Sequence, residues 1–540
     1  MMFRFGCAAF LCCLFSALSV AGAQTQPRLV VVVSFDQFRG DMPENFRRFF
    51  GEKGFTRIER EGAQFTGCMF EHASNITGPG HAALLTGAYP YKSGIVGNDF
   101  CNVESAQCVY CAADDSGTPS AAQLLVPTVG DILRTRSPRS KVIGVALKDR
   151  AAILMAGAQA STCVWFDTDR YVWTSSTAFP AVSWLAELNR NVNVRSHSGK
   201  QWNLRIPERL EPAFDSVSAE GMFPGGSNVF PHVIPALTDT TAQLRRQQAL
   251  AVMLSPFSLS MIFDAAWMAV QKERLGVDNA PDILCVGVST TDYVGHQFGP
   301  DSREVQELFV HADELLGTFI DRLDTKIGRR NYVLVITSDH GVAPVPEVIR
   351  GLAHQQEATI DAGRIRRDAD VIQPLDSVLR AWFGAPQGKS YVRKMKEPSI
   401  YLDLPASGGV DPETVAAIAM EFLNGVEGIG FVATRELLRA GQCPPGTDES
   451  ECRRVLRSYH PERSGNIVLY PKRYWIMSGN VATHGTPHDY DRHVPLMLFG
   501  GNISPGTYAN TVEPVDIAPT VAKMLGISMP VMDGRELPLR

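Results

Sequence analysis

The 540-residue sequence predicts an α/β fold: a mainly parallel, buried sheet flanked by helices, with insertions forming a cap. Three observations carry this expectation. Four runs are apolar and rich in Val, Ile and Leu without polar alternation, as strands covered on both faces require. They are RLVVVVSFD (28–36), SKVIGVALKD (140–149), PDILCVGVSTTD (281–292) and YVLVITSDHG (332–341). Between the last two lies a stretch of helical periodicity, and strand–helix–strand order builds an α/β core. The first, third and fourth runs also lead into Asp36, Asp292 and the pair Asp339–His340, at the edge where open α/β sheets bind ligands.

In chain order, the first segment reads as a leader. A short basic start, the apolar stretch FGCAAFLCCLFSALSV and the small residues AGA (21–23) have the form of a signal peptide, with cleavage expected after Ala23. No lipobox cysteine follows, and no later stretch reaches the roughly 18 uninterrupted apolar residues of a membrane span. The mature chain is therefore expected in the periplasm or outside the cell, without a membrane anchor. A formal charge of −6, one unit more negative once Arg4 is removed, argues against a nucleic-acid partner.

Residues 24–185 read as the first part of the core, 261–350 as the second and 476–540 as the last. Residues 186–260 and 351–475 break the strand–helix rhythm with Arg, Pro, Gly and isolated aromatics, and read as an insertion and an insertion forming the cap. In 301–324, Val305, Leu308, Phe309, Ala312, Leu315, Leu316, Phe319, Ile320 and Leu323 keep helical spacing. Asp301 with Glu304 resembles a capping box there. HVPLMLFG (493–500) reads as the last strand and VEPVDIAPTVAKMLG (512–526) as the closing helix.

Beyond the leader, the cysteines are Cys68, Cys101, Cys108, Cys111, Cys163, Cys285, Cys443 and Cys452. An even set in an exported chain favours disulfides over thiol chemistry. The loop CPPGTDESEC points to a Cys443–Cys452 bridge. CVYC (108–111) lacks a second pair at zinc-ribbon spacing.

The chemistry gathers around NITGPGHAALLTG (75–87). Thr77 there admits a capping role, with Pro79 at an early helical position. It also admits a nucleophile's role, because a helix start offers free amides and positive dipole character to an anion. Asp292 and His296 are four apart and share one helical face, and ATHGTPHDYDRH (482–493) supplies further histidines. Taken singly, a strand-end Asp reads as a helix cap; several at one sheet edge read better as ligands.

The ordered set Asp36, Thr77, Asp292-x-x-x-His296, Asp339-His340 and Thr483-His484-Gly485 resembles the alkaline phosphatase superfamily. Within it the similarity is greatest to bacterial zinc alkaline phosphatases with a threonine nucleophile, relatives of the nucleotide pyrophosphatase/phosphodiesterases. It runs from about residue 28 to 540 and covers the insertions loosely. The resemblance implies an alkaline-phosphatase-like core and two Zn2+ per chain. Asp292, His296 and His484 would hold one, and Asp36, Asp339 and His340 the other beside Thr77. His484 is preferred over His488 and His493 because the family ligand directly precedes a glycine. Asn98 in GIVGNDF and the pair Lys148 and Arg150 in LKDRAAI would contact the non-bridging phosphate oxygens.

The residue types suit that chemistry. Carboxylate and imidazole ligands fit zinc, admit manganese and match calcium poorly. Two metals clamp the attacking and leaving oxygens of an in-line displacement. The implied activity is hydrolysis of small phosphate monoesters through a phosphothreonine at Thr77, because two cations on the transferred group favour a dianion. A phosphodiesterase or nucleotide pyrophosphatase is the enzymatic alternative, and an exported zinc- or phosphate-binding protein without catalysis is the other. A sulfatase would need Cys/Ser-x-Pro-x-Arg where this chain has Thr77-Gly78-Pro79-Gly80-His81. Cofactor-independent phosphoglycerate mutase, a cytoplasmic serine-dependent relative, does not match a leader. The oligomeric state is left open and is compatible with a monomer.

Overall fold

The computed structural model describes residues 26–105, 107–206, 220–236, 241–384, 390–403 and 409–539. The expected leader and its expected cleavage after Ala23 lie outside the described residues. Nine strands form the main sheet: β1 (Leu29–Phe35), β2 (Ala63–Cys68), β3 (Val142–Ala146), β4 (Thr162–Asp167), β5 (Val172–Thr174), β6 (Asp282–Val288), β7 (Tyr332–Thr337), β8 (Leu496–Gly500) and β9 (Gly506–Val512). Their order is β9-β2-β8-β7-β1-β6-β3-β4-β5. β7, β1, β6, β3 and β4 are mutually parallel along the sheet. β8 runs antiparallel to β7 and β2, and β5 antiparallel to β4.

The four runs singled out in the sequence are β1, β3, β6 and β7, every residue of which is buried. The strand period of two sends alternate side chains to opposite faces. Leu29, Val31, Val33 and Phe35 pack into one core, while Val30 and Val32 pack into the other. A Cβ on Gly144 in β3 would stand 2.3 Å from the Ala152 carbonyl oxygen, so glycine here lets the helix Asp149–Ala156 settle on the sheet.

Three expectations need correction. The long helix spans Arg303–Lys326, and its cap is Ser302, which accepts from the Val305 amide. Asp301 instead pairs with Arg39 at 2.8 Å, and buried Glu304 pairs with His232 at 2.9 Å. Residues 493–500 do not hold the last strand, because β9 follows and pairs parallel with β2 before the helix Ile517–Met524. The cysteines pair only in part. Cys443–Cys452 forms, as does Cys101–Cys108 across a hairpin, while Cys68, Cys111, Cys163 and Cys285 are buried thiols. Cys163 and Cys285 face Gly144 from opposite sides, in strands two apart. That separation, about 9.6 Å at normal strand spacing, exceeds the reach of a disulfide.

Residues 392–471 contribute a separate antiparallel sheet, ordered Val392–Lys396, Ser399–Leu402, Ile467–Pro471, Ile429–Thr434, with its own core around Leu375, Ile400, Val432 and Leu469. The 186–260 region is knit into the main core through Trp202, Phe223, Ile234 and Val252. Among the described residues no single helix is long and apolar enough to cross a membrane.

Asp313 ties the long helix to its neighbour. Its carboxylate accepts from the Phe55 amide at 2.6 Å and the Gly51 amide at 2.8 Å. Asp313→Ala is expected to destabilise the fold by about 2–4 kcal/mol by stranding both donors, which a denaturant titration reads. Burial pushes this carboxyl up to about 6. The proton-linked part of its contribution to stability is full below the unfolded value near 3.8 and is lost as pH rises through about 6, while the two amide bonds persist.

Candidate active site

Parallel strands deliver their carboxyl ends to one edge of the sheet. Asp36 directly follows β1, Lys148 follows β3, and Asp339 and His340 follow β7. Asp292 and His296 lie on the helix Thr290–Phe298 that leaves β6. His484 arrives from the loop before β8.

The structure brings six of these side chains into two groups. In the first, Asp292 Oδ1 lies 3.1 Å from His296 Nε2 and 3.4 Å from His484 Nε2. In the second, His340 Nε2 lies 3.3 Å from both Asp36 Oδ1 and Asp339 Oδ2. Within each group the donor atoms fall within 4.8 Å of one another. The His340 and His484 rings stack with centroids 3.5 Å apart, which sets the groups side by side.

The imidazoles are oriented for ligation. His296 Nδ1 is 2.7 Å from the Ala482 carbonyl, His340 Nδ1 2.9 Å from that of Gly341, and His484 Nδ1 2.9 Å from that of Asn75. A carbonyl only accepts, so each Nδ1 carries the hydrogen and Nε2 is left to face its group. His488 and His493 instead direct Nε2 at the carbonyls of Pro471 and Thr66.

Three polar atoms test whether a cation fits. Asp36 Oδ1, Asp339 Oδ2 and His340 Nε2 are buried and converge, and among the described residues none completes a well-formed hydrogen bond. Buried atoms of this kind are costly unless something satisfies them. Carboxylate and imidazole donors of this kind suit a divalent cation, and both groups are candidate metal sites.

The electrostatics agree. Burial and the nearby Asp292 oppose ionisation of Asp36, but Lys148 and His340 outweigh them and hold it well below the usual carboxylate range. Burial likewise opposes charge on Asp292, and His296 with Lys148 keeps it ionised. Burial works against a charged His340, yet Asp339 and Asp36 hold its pKa up at about 9. The carboxylates thus draw positive charge to the site. Lys148 supplies some of it: its ammonium, almost wholly buried, lies 2.6 Å from Asp36 Oδ2 and 2.5 Å from Asp292 Oδ2, joining the two groups.

Thr77 is buried and opens the helix Thr77–Thr86. It is not the cap, since Ile76 holds that position without a side-chain bond. The orphan amide of Gly78 is met by Asn98 Oδ1 at 2.8 Å. A Cβ on Gly80 would stand 2.1 Å from the Asp339 carbonyl oxygen, so only glycine brings the helix start against the second group. His81 Nδ1 completes the link, 2.9 Å from the Thr77 carbonyl and 3.0 Å from Asp339 Oδ2.

Asn98 and Arg150 share a support. Asn98 precedes the hairpin Asp99–Cys101/Cys108–Tyr110, which the Cys101–Cys108 disulfide closes. At the same open end of the hairpin as Asn98, the Tyr110 hydroxyl donates to Asp149 at 2.5 Å and accepts from Arg150 Nη1 at 3.3 Å.

Sequence reading missed several supporting residues. Gln37, with a left-handed φ of 68°, donates its side-chain amide to Asp292 Oδ1 at 3.0 Å and its backbone amide to Asp339 Oδ1 at 3.3 Å, so it braces both groups. Its place beside Asp36 was the available signal. His81, four residues after Thr77, shares its helix face. Tyr110 and Asn75 carry no local signal, because the contacts that bear on the site, Tyr110 with Arg150 and the Asn75 carbonyl with His484, are made with distant segments.

The chain is similar to known proteins over most of its length. A family model, type I phosphodiesterase / nucleotide pyrophosphatase, matches residues 30–491. The alkaline phosphatase PhoK of a Sphingomonas species is 31% identical over 548 residues, covering 96% of this chain and 92% of that protein. A Myroides odoratus protein named calcium-transporting ATPase is 30% identical over 547 residues, covering 96% of each. The alkaline phosphatase PafA of Elizabethkingia meningoseptica is 29% identical over 530 residues, covering 94% of this chain and 93% of that protein. Its crystal structure superposes with a TM-score of 0.85, covering 95% of this chain and 99% of the other at 28% identity. With an α/β sheet of the PafA alkaline phosphatase fold and a match spanning most of its length, this chain belongs to the type I phosphodiesterase/nucleotide pyrophosphatase family.

Proposed function

We propose that the chain is an exported phosphatase that hydrolyses small phosphate monoesters through a phosphothreonine at Thr77, with two Zn2+ in the two groups. The observation that supports this reading is the convergence of six candidate ligand side chains, one group of which packs against the helix start that carries the buried Thr77. The proposed export rests on the signal-peptide pattern that ends at Ala23. Asp292, His296 and His484 would hold one ion, and Asp36, Asp339 and His340 the other. When bound, such ions supply Lewis-acid stabilisation to the attacking and leaving oxygens.

The chain's own groups do the rest. Thr77 Oγ gives up its proton to solvent and forms a bond to phosphorus as the bond to the ester oxygen breaks, and the departing alkoxide takes a proton from solvent. Water then cleaves the phosphothreonine, its hydroxyl going to phosphorus and a proton to the Thr77 oxygen, so that phosphate is released and the hydroxyl restored. Asn98, its oxygen spent on Gly78, keeps its NH2 for a phosphate oxygen. Lys148 and Arg150 oppose the charge of a dianion, and Tyr110 and Gln37 fix the groups around them.

The phosphodiesterase reading has the family model in its favour, and a substrate pair separates the two. Phenyl phosphate is expected to turn over faster than methyl phenyl phosphate. Arg150→Ala is expected to lower kcat/KM for the monoester by ~10²-fold, and for the diester by less. Preference for the diester would favour the phosphodiesterase. Metal and phosphate binding without turnover of either ester would favour the non-catalytic protein.

A further inference from the structure

We propose that the leaving groups accepted here are polar and hydroxyl-bearing, a polyol or sugar rather than an aromatic ring, and that Arg367 and Glu397 recognise them. The proposal rests on the phosphatase reading above and concerns a cleft of about 760 Å³ where the antiparallel unit meets the core.

The cleft adjoins the first metal group. Its wall includes Val481 and Thr483, the latter next to His484. The Val481 amide donates to the His296 carbonyl at 3.1 Å, and His296 Nδ1 donates to Ala482, so this wall is built back to back with the ligands. At the other end, the Glu397 carbonyl oxygen stands 3.5 Å from the position of a Cβ on Gly97, the neighbour of Asn98. Thr77 is tied through His81 to Asp339 of the second group. In an in-line displacement the leaving oxygen departs on the side away from Thr77, toward the first group, and Thr483, beside His484 of that group, forms part of the wall of this cleft.

The cleft's chemistry is polar. Among its described lining residues there is no aromatic side chain on which a ring could stack. Arg364 is consumed by Glu347, with bonds of 2.8 and 2.9 Å, and Arg366 by Asp370. Arg367 and Glu397 are different. Their nearest atoms are 4.0 Å apart, Arg367 Nε is 3.6 Å from Asp368, and neither side chain completes a hydrogen bond among the described residues. A hydroxyl both donates and accepts, so it can accept from Arg367 while donating to Glu397, and neighbouring hydroxyls can engage both. An aromatic leaving group would desolvate the same charges without return.

The test uses the full chain loaded with zinc, and kcat/KM for glycerol 1-phosphate, glucose 6-phosphate and phenyl phosphate. Arg367→Ala is expected to lower the two polyol values about tenfold more than the phenyl value, the size of one lost charge-assisted hydrogen bond. Glu397→Gln is expected to shift the ratio in the same direction by about threefold. Phenyl phosphate turnover by the same preparations, with their melting temperatures, reports folding. Equal losses on all three substrates, or no loss, would overturn the proposal and leave the phosphatase reading standing. A wild-type protein inert toward all three monoesters would overturn that reading itself.

Discussion

Thr77→Ala is expected to lower turnover of a phosphate monoester by at least ~10³-fold, the scale of removing a covalent nucleophile. The variant should still fold and bind metal. Thr77 contributes only the first residue of its helix, and the contacts that seat that helix come from Gly78, Gly80 and His81. Thr77→Ser keeps a hydroxyl at the same place and should lose far less. Stopped-flow assays on both variants, with acid-quench detection of the phosphorylated chain, make the comparison. Phosphothreonine should accumulate in the parent and be absent from Thr77→Ala. An alanine variant with undiminished turnover would refute the covalent route.

Removing the metal is the second large effect. Chelation is expected to reduce activity by more than ~10³-fold, and added zinc to restore it, because several kcal/mol of charge stabilisation leave with the ions. Without a divalent cation, the buried atoms of Asp36, Asp339 and His340 have one another, Lys148 and His81 to compensate them. Asp292→Ala should remove about one equivalent of zinc and Asp36→Ala the other. Mass-spectrometric metal analysis of the dialysed variants reads both. Full activity in the chelated parent would contradict the assignment.

The parts of this fold legible in sequence are those whose burial is complete. β1, β3, β6 and β7 are covered on both faces, so they appear as uninterrupted apolar runs, and their shared direction places Asp36, Lys148 and Asp339 at one edge. Edge and antiparallel strands hide better. β9 is half-exposed along Gly506–Val512, so its sequence lacks the continuous apolar run of the central strands. In the 392–471 sheet, Ser399–Leu402 pairs with residues almost seventy positions away, a choice set by tertiary packing and not by local pattern.

The site divides the same way. Residues that follow buried strands were readable, as were Asp292 and His296 through their helical spacing. The supports were not. Gln37 braces two groups only because a left-handed backbone turns its amide inward, and Tyr110 meets Arg150 only because a disulfide-closed hairpin folds over the helix carrying it. Cys163 and Cys285 show the converse: parity suggested bridges, and strand register forbids one between them.

Zinc-edge anomalous diffraction from a crystal grown with Zn2+ tests the two-ion claim most directly. Two peaks should stand about 3.5–4 Å apart, one among Asp292, His296 and His484, the other among Asp36, Asp339 and His340 with the Thr77 hydroxyl within reach. A single peak, or two peaks remote from Thr77, would contradict it.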